Sequence, residues 1–207
     1  MKSCKNRMLI CFIGIDGSGK TTLAKEFVRV LKERGVNAIY GYNTYKPTFI
    51  KPILFLAKKI FLKDDEIKEY YNKRNKTLRK GFVSKVYVIF SLVDYIIQTT
   101  FKVSLPYILG KVVVCDRYVH DFFVNAYVEA GYSNIDMIEK MYKILPKPDF
   151  VFLVDVPEDV AFSRKSDVPF LEYLKERRKI YLKLNDVYIL DGTKPIHDLL
   201  EEVMKKC

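Results

Sequence analysis

The 207 residues carry 36 Lys and Arg against 25 Asp and Glu, a formal charge of +11, with 49% hydrophobic and 29% charged content. That balance excludes a disordered chain, fits one domain with a full core, and favours anionic ligands. The cysteines, Cys4, Cys11, Cys115 and Cys207, show no C-x-x-C spacing and are joined by only two histidines. This excludes the common zinc patterns and points to a reduced, cytoplasmic chain.

The first element is an apolar strand pattern over Met8–Ile15, which runs into Gly14-Ile15-Asp16-Gly17-Ser18-Gly19-Lys20-Thr21. This is the G-x-x-x-x-G-K-[ST] phosphate loop. Gly14, Gly17 and Gly19 permit positive φ and a close approach of backbone to ligand. The loop amides, those of Ser18 and Thr22 included, then form an anion nest at the positive end of the next helix. Lys20 supplies a point charge to the β- and γ-phosphates, and the Thr21 hydroxyl is a hard oxygen suited to Mg²⁺. Asp16 stands near the metal or the attacking oxygen, or else shapes the turn. Leu23, Phe27, Val30 and Leu31 give the following helix one apolar face, and Gly35 ends it.

Further strand patterns fall at Val36–Tyr42, Lys111–Cys115, Phe150–Val156 and Val187–Leu190. Strands that are apolar throughout and alternate with helices predict an α/β fold, a parallel sheet covered on both faces. The predicted organisation is a single domain over 1–207, with 44–109 as a helical region and about 164–170 as a short mobile flap. No apolar run reaches 18 residues, so no membrane span is expected, and the short apolar N-terminal run is not a signal peptide.

Residues Thr44–Lys80 contain eleven Lys/Arg and four acids, a charge of +7. Ile53, Leu54, Leu56, Ala57, Ile60 and Phe61 share a helical face ringed by lysines. Such a face packs on the domain's own core, or lies on a membrane or a partner. Phe82–Phe101 reads as a long, mostly buried helix whose Ser91, Asp94 and Gln98 are candidates for lining a cleft. Val112–Asp116 is a strand ending in a carboxylate, the pattern that holds Mg²⁺ or its waters in phosphate-loop enzymes, and Arg117 beside it can clamp a phosphate. Asp155 ends a strand of the same form and rivals Asp116 for that place; Asp116 is favoured because Arg117 stands beside it, and a strand-end capping role is favoured for Asp155.

Ser133-x-x-Asp136 is a capping box for a helix reaching Leu145, and Pro157 suits a first helical turn. The polar stretch Arg164-Lys165-Ser166-Asp167-Val168-Pro169 fits a flap that brings cations to a transferring phosphoryl group. Near the end, Thr193 is placed as the cap of the last helix, with the 191–195 loop as a rest for a nucleotide ring.

Together these pieces resemble the thymidylate kinase family. FIGIDGSGKTTLA looks like its phosphate loop, Asp116-Arg117-Tyr118 its DR[YH] motif, and Pro148-Asp149 through Asp155-Val156-Pro157 its PD…LDVP strand. Val160-Ala161 with Arg164 is similar to the start of its lid, and Tyr181-Leu182-x-Leu184 also fits. The resemblance implies a three-layer P-loop NTPase fold, with five parallel strands in the order 2-3-1-4-5 flanked by helices. It implies ATP and Mg²⁺ as cofactors, γ-phosphoryl transfer to a nucleoside monophosphate with dTMP first, nucleotide biosynthesis in the cytoplasm, and a homodimer.

Carried onto this chain, Lys20 and Asp16 are catalytic, Thr21 and Asp116 hold the metal, and Arg117 takes the acceptor phosphate with Tyr118 beside it. Some family members place an arginine where this chain has Gly17; those with glycine supply the cation from the lid, here Arg164 and then Lys165. The acceptor side departs from the pattern. Tyr45-Lys46-Pro47 replaces Arg-Glu-Pro, Asp94 lacks the following arginine, Gln98 is one place late, and Asp121 replaces a serine. Two other readings therefore stay open: a kinase of another small phosphorylated acceptor, and a P-loop ATPase or ATP-binding protein whose basic helical surface binds a partner. Asn72-Lys73-Arg74-Asn75 lacks the aspartate of a guanine-reading motif, and no aromatic-interleaved basic strand points to nucleic acid.

Overall fold

In the computed structural model, which describes residues 7–48, 81–132, 134–165 and 170–207, one parallel sheet has the strand order β2-β3-β1-β4-β5. The strands are β1 Met8–Ile13, β2 Ala38–Tyr42, β3 Val112–Asp116, β4 Phe150–Asp155 and β5 Tyr188–Asp191. The predicted order 2-3-1-4-5 is the observed one. β1 lies between β3 and β4, in register Cys11 with Cys115 and Cys11 with Val151.

Period-two alternation divides β1 between two cores. Leu9, Cys11 and Ile13 face one side; Met8, Ile10 and Phe12 face the other. The second side is covered by α1 (Lys20–Glu33), through Leu23, Phe27 and Leu31, and by the terminal α8 (Ile196–Lys206), through Leu199 and Val203. The first side is covered by α2 (Gly81–Thr99), α4 (Val119–Ala130), α5 (Asp136–Tyr142) and α7 (Leu171–Tyr181). The short α6 (Glu158–Ser163) follows β4. Both faces being covered explains why the strands read as continuous apolar runs.

α2 does not end at Thr99 but widens into a π-helical turn, Thr100–Ser104, before α3, Leu105–Ile108. The cause is Pro106, which has no N–H to give the carbonyl four residues back, so the helix opens ahead of it. α2 is also two-faced rather than mostly buried. Val88, Ser91, Tyr95 and Thr99 are buried, whereas Phe90, Val93, Ile97 and Phe101 are between 37% and 68% exposed. Contrary to the expectation of no such stretch, the helical run Val88–Ile108 is long and apolar enough to cross a membrane by length and composition. Uninterrupted apolar runs miss it because Asp94 and a few Ser, Thr and Gln residues punctuate it. A helix with one face on a soluble core passes the same test, and 39% of that window is buried.

Three cap assignments change. Asp155 caps nothing: Arg178 holds it bidentately, Nε to Oδ1 at 2.8 Å and Nη2 to Oδ2 at 2.9 Å. Thr193 turns back instead of capping α8, its N–H and hydroxyl both donating to Asp191 Oδ1, and Pro195 precedes the helix. Pro157 stands at the N-cap of α6, one place before its first turn. The amphipathic basic segment beyond Thr48, Asn72–Asn75, Ser133, Cys4 and the flap residues 166–169 lie outside the described residues.

Candidate active site

The end of β1 delivers Gly14–Gly19 to the carboxyl edge of the sheet, where a phosphate loop must lie for its amides to face a ligand. Gly17 has φ 86°, and a Cβ there would sit 2.2 Å from the Ala161 carbonyl oxygen. No side chain fits without displacing α6, so an arginine at this place is excluded by packing as well as by backbone angle. Gly14 is equally constrained, at 2.6 Å from the Val154 carbonyl oxygen.

Lys20 is buried, and its ammonium donates to the Ile15 carbonyl at 2.7 Å, curling the side chain back over the loop. Burial first, then the nearby Arg117, lowers its pKa to about 8, against the opposing pull of Asp16, Asp121 and Asp116. The Thr21 hydroxyl donates to Asp116 Oδ2 at 2.6 Å, and the Tyr40 hydroxyl donates to the same oxygen at 2.8 Å. Asp116 is fully buried, and its Oδ1 has no hydrogen-bond partner. A threonine hydroxyl beside a carboxylate with one free oxygen is a donor set that fits Mg²⁺. Tyr40 had no signal in the sequence beyond its place on β2.

Arg117 has φ 74°, left-handed for a non-glycine residue, the kind of strain that persists only where the surroundings impose it. Its Nη2 pairs with Asp16 and its Nη1 lies 3.3 Å from Asp121 Oδ1. Burial pushes the Asp16 carboxyl up, but Arg117, Lys20 and Lys165 together hold it down at about 2. The two flap cations diverge. Arg164 Nη1 donates to the Gly192 carbonyl at 3.2 Å, toward the loop after β5, while Lys165 Nζ lies 3.7 Å from Asp16 in the phosphate loop. Ser18 is buried with its hydroxyl unpartnered, in the loop itself.

A cavity of about 210 Å³ is lined by Tyr45, Pro47, Val88, Ser91, Phe122, Asn125, Ala126 and Glu129. Phe122 stands against Tyr95 and Tyr45, with ring centroids 4.8 and 5.5 Å away. Phe122, Asn125 and Glu129 share one face of α4 by i, i+3, i+7 spacing, a signal legible in the sequence but not used. Asp94 and Gln98 act on the chain itself. Asp94 Oδ2 accepts from the Thr48 N–H at 2.7 Å, and Gln98 donates to Asp94 and to the Lys46 carbonyl. They fasten the loop after β2 to α2 and so shape the cavity rim. Tyr118 is fully buried, its hydroxyl donating to the Pro146 carbonyl at 2.8 Å, and it does not reach the cavity. A second, larger cavity of about 650 Å³ is bordered by the amino ends of β4 and β5, the far end of the sheet, and none of these phosphate-loop groups lines it.

No protein-family model matches the chain. The chain is similar to a probable thymidylate kinase of Archaeoglobus fulgidus, at 31% identity over 96% of this chain and 93% of that protein. A probable thymidylate kinase of Sulfurisphaera tokodaii is 30% identical over 95% and 93% of the two chains. A thymidylate kinase of Fervidobacterium nodosum is 25% identical over 96% and 97%.

Proposed function

The chain belongs to the thymidylate kinase family, and from that premise we propose that it transfers the γ-phosphoryl group of ATP to dTMP, releasing ADP and dTDP. The observation that carries this reading is the convergence of Lys20, the Thr21–Asp116 pair and Arg117 around one glycine loop. Loop amides of Gly14 to Thr22 and the amino end of α1 hold the donor phosphates. Lys20 neutralises charge on the phosphoryl in flight. Thr21 and Asp116 would hold Mg²⁺, which would supply positive charge against the donor phosphates. Arg117 orients the acceptor phosphate in line, and the cavity between the loop after β2, α2 and α4 takes the acceptor base.

Of the flap residues, Lys165 is assigned the cation at the reacting phosphoryl, because it already borders Asp16. Arg164, lying against Gly192, is assigned to the nucleotide-ring side. The exposed apolar row Phe90, Val93, Ile97 and Phe101 supports a homodimer formed through α2. A cytoplasmic setting accords with Cys11 and Cys115, register neighbours on β1 and β3 that are free thiols.

A coupled assay of ADP release tests this reading. ADP release that depends on dTMP and not on nucleic acid or lipid is expected; ATP loss driven only by nucleic acid or lipid vesicles would replace the kinase with an ATPase.

A further inference from the structure

Asp121 is a carboxylate sealed inside the protein, and a buried carboxylate must be met by donors. Three meet it: the Tyr181 hydroxyl at 2.6 Å, the Tyr118 backbone N–H at 3.1 Å and Arg117 Nη1 at 3.3 Å. The first two are fixed. Tyr118 N–H belongs to the turn that opens α4, and Tyr181 is the last residue of α7, itself buried among core side chains. Arg117 is the third, and the one that also reaches the phosphate loop through Asp16.

The two carboxylates flanking Arg117 are unlike. Asp16 lies in the phosphate loop with its side chain 21% exposed, whereas Asp121 is 4% exposed. Asp121 takes Nη1, Asp16 takes Nη2, and Nε is buried without a partner. Nε and Nη2 form the side-on edge of a guanidinium, the fork that meets two phosphate oxygens at once. A phosphate reaching that edge can displace the half-buried Asp16 from it, but the buried Asp121 is out of its reach.

We propose that Tyr181 and Asp121 are positioning residues for Arg117, gripping Nη1 from the buried side so that the Nε–Nη2 edge faces the acceptor phosphate. The proposal rests on the reading of Arg117 as the acceptor-phosphate clamp. It also gives Tyr181, at the far end of the helix that follows the flap, a part in acceptor binding without touching the acceptor.

The test compares Tyr181→Phe and Asp121→Asn, each alone and in an Arg117→Ala background, by KM for dTMP, KM for ATP and thermal melting. Tyr181→Phe removes one hydroxyl and keeps the ring, so it carries the test if Asp121→Asn does not fold. Expected is a rise in dTMP KM of about 5- to 10-fold with ATP KM unchanged within about twofold. In the Arg117→Ala background the same change adds less than about twofold, because the group it positions is gone. An additive effect in that background, or equal rises in both KM values, makes the pair merely structural and overturns the proposal. Arg117→Ala raising dTMP KM while Tyr181→Phe does not also overturns it, leaving the clamp intact. Arg117→Ala with unchanged dTMP KM refutes the clamp itself.

Discussion

On the proposed reading, the donor side and the acceptor side of this site are built on different principles. The donor groups come from nearly consecutive residues, Gly14 to Thr21, plus one strand end, Asp116, brought alongside by the β1–β3 register. Two are poised: Asp116 Oδ1 and Ser18 Oγ are buried without partners. The acceptor side is assembled from three distant segments: the loop after β2, α2 and α4. There the polar groups Asp94 and Gln98 are satisfied by the chain's own backbone, and aromatic rings form the wall. The difference teaches that triphosphate binding is a property of a local backbone shape, whereas acceptor recognition is a property of tertiary packing, free to change residue by residue.

Perturbing each side separately sharpens that contrast. Lys20→Ala should lower kcat by about 100- to 1000-fold, by analogy with loss of one donor to developing negative charge, while thermal melting shows an intact fold. Turnover within tenfold of the parent would remove Lys20 from the chemistry. Gly17→Ala should raise ATP KM by about tenfold or more and lower the melting temperature, because its methyl group meets the Ala161 carbonyl and φ is positive. Unaltered ATP binding would show the loop tolerates what its packing forbids.

The pH profile distinguishes the sides next. Lys20 is charged below its depressed pKa of about 8 and loses its proton as pH rises through it. So kcat/KM for ATP should fall about tenfold per unit above pH 8, while the kcat profile, measured with phosphates beside the ammonium, falls at higher pH. A kcat/KM for ATP that stays flat to pH 10 would contradict this. The smallest effect belongs to Asp94→Asn, which should raise dTMP KM by about two- to fivefold and leave ATP KM alone, since it only loosens the loop at Thr48.

How much of this could be read in advance follows the same division. The phosphate loop, the parallel strands and the Asp116-Arg117 strand end were legible from short motifs and continuous apolar runs, whereas the strand order came only from the family resemblance. Tyr40 and the Tyr181–Asp121 contact were not legible, because their partners lie tens of residues away and only packing unites them. Asp155 misled for a related reason. A strand-end aspartate looks the same whether it meets a metal, a helix or, as here, Arg178 from α7. Arg164 and Lys165 are adjacent in sequence, yet they point to opposite neighbours, Gly192 and Asp16, which no spacing rule distinguishes.

The central claim is that one glycine loop presents the γ-phosphoryl group of ATP to a deoxynucleotide held by Arg117. Supplying γ-³²P-labelled ATP, Mg²⁺ and dTMP and following the label tests it directly. Label recovered in dTDP, equal in amount to the ADP formed, is the predicted result. Label recovered as inorganic phosphate, at a rate indifferent to dTMP, would contradict it.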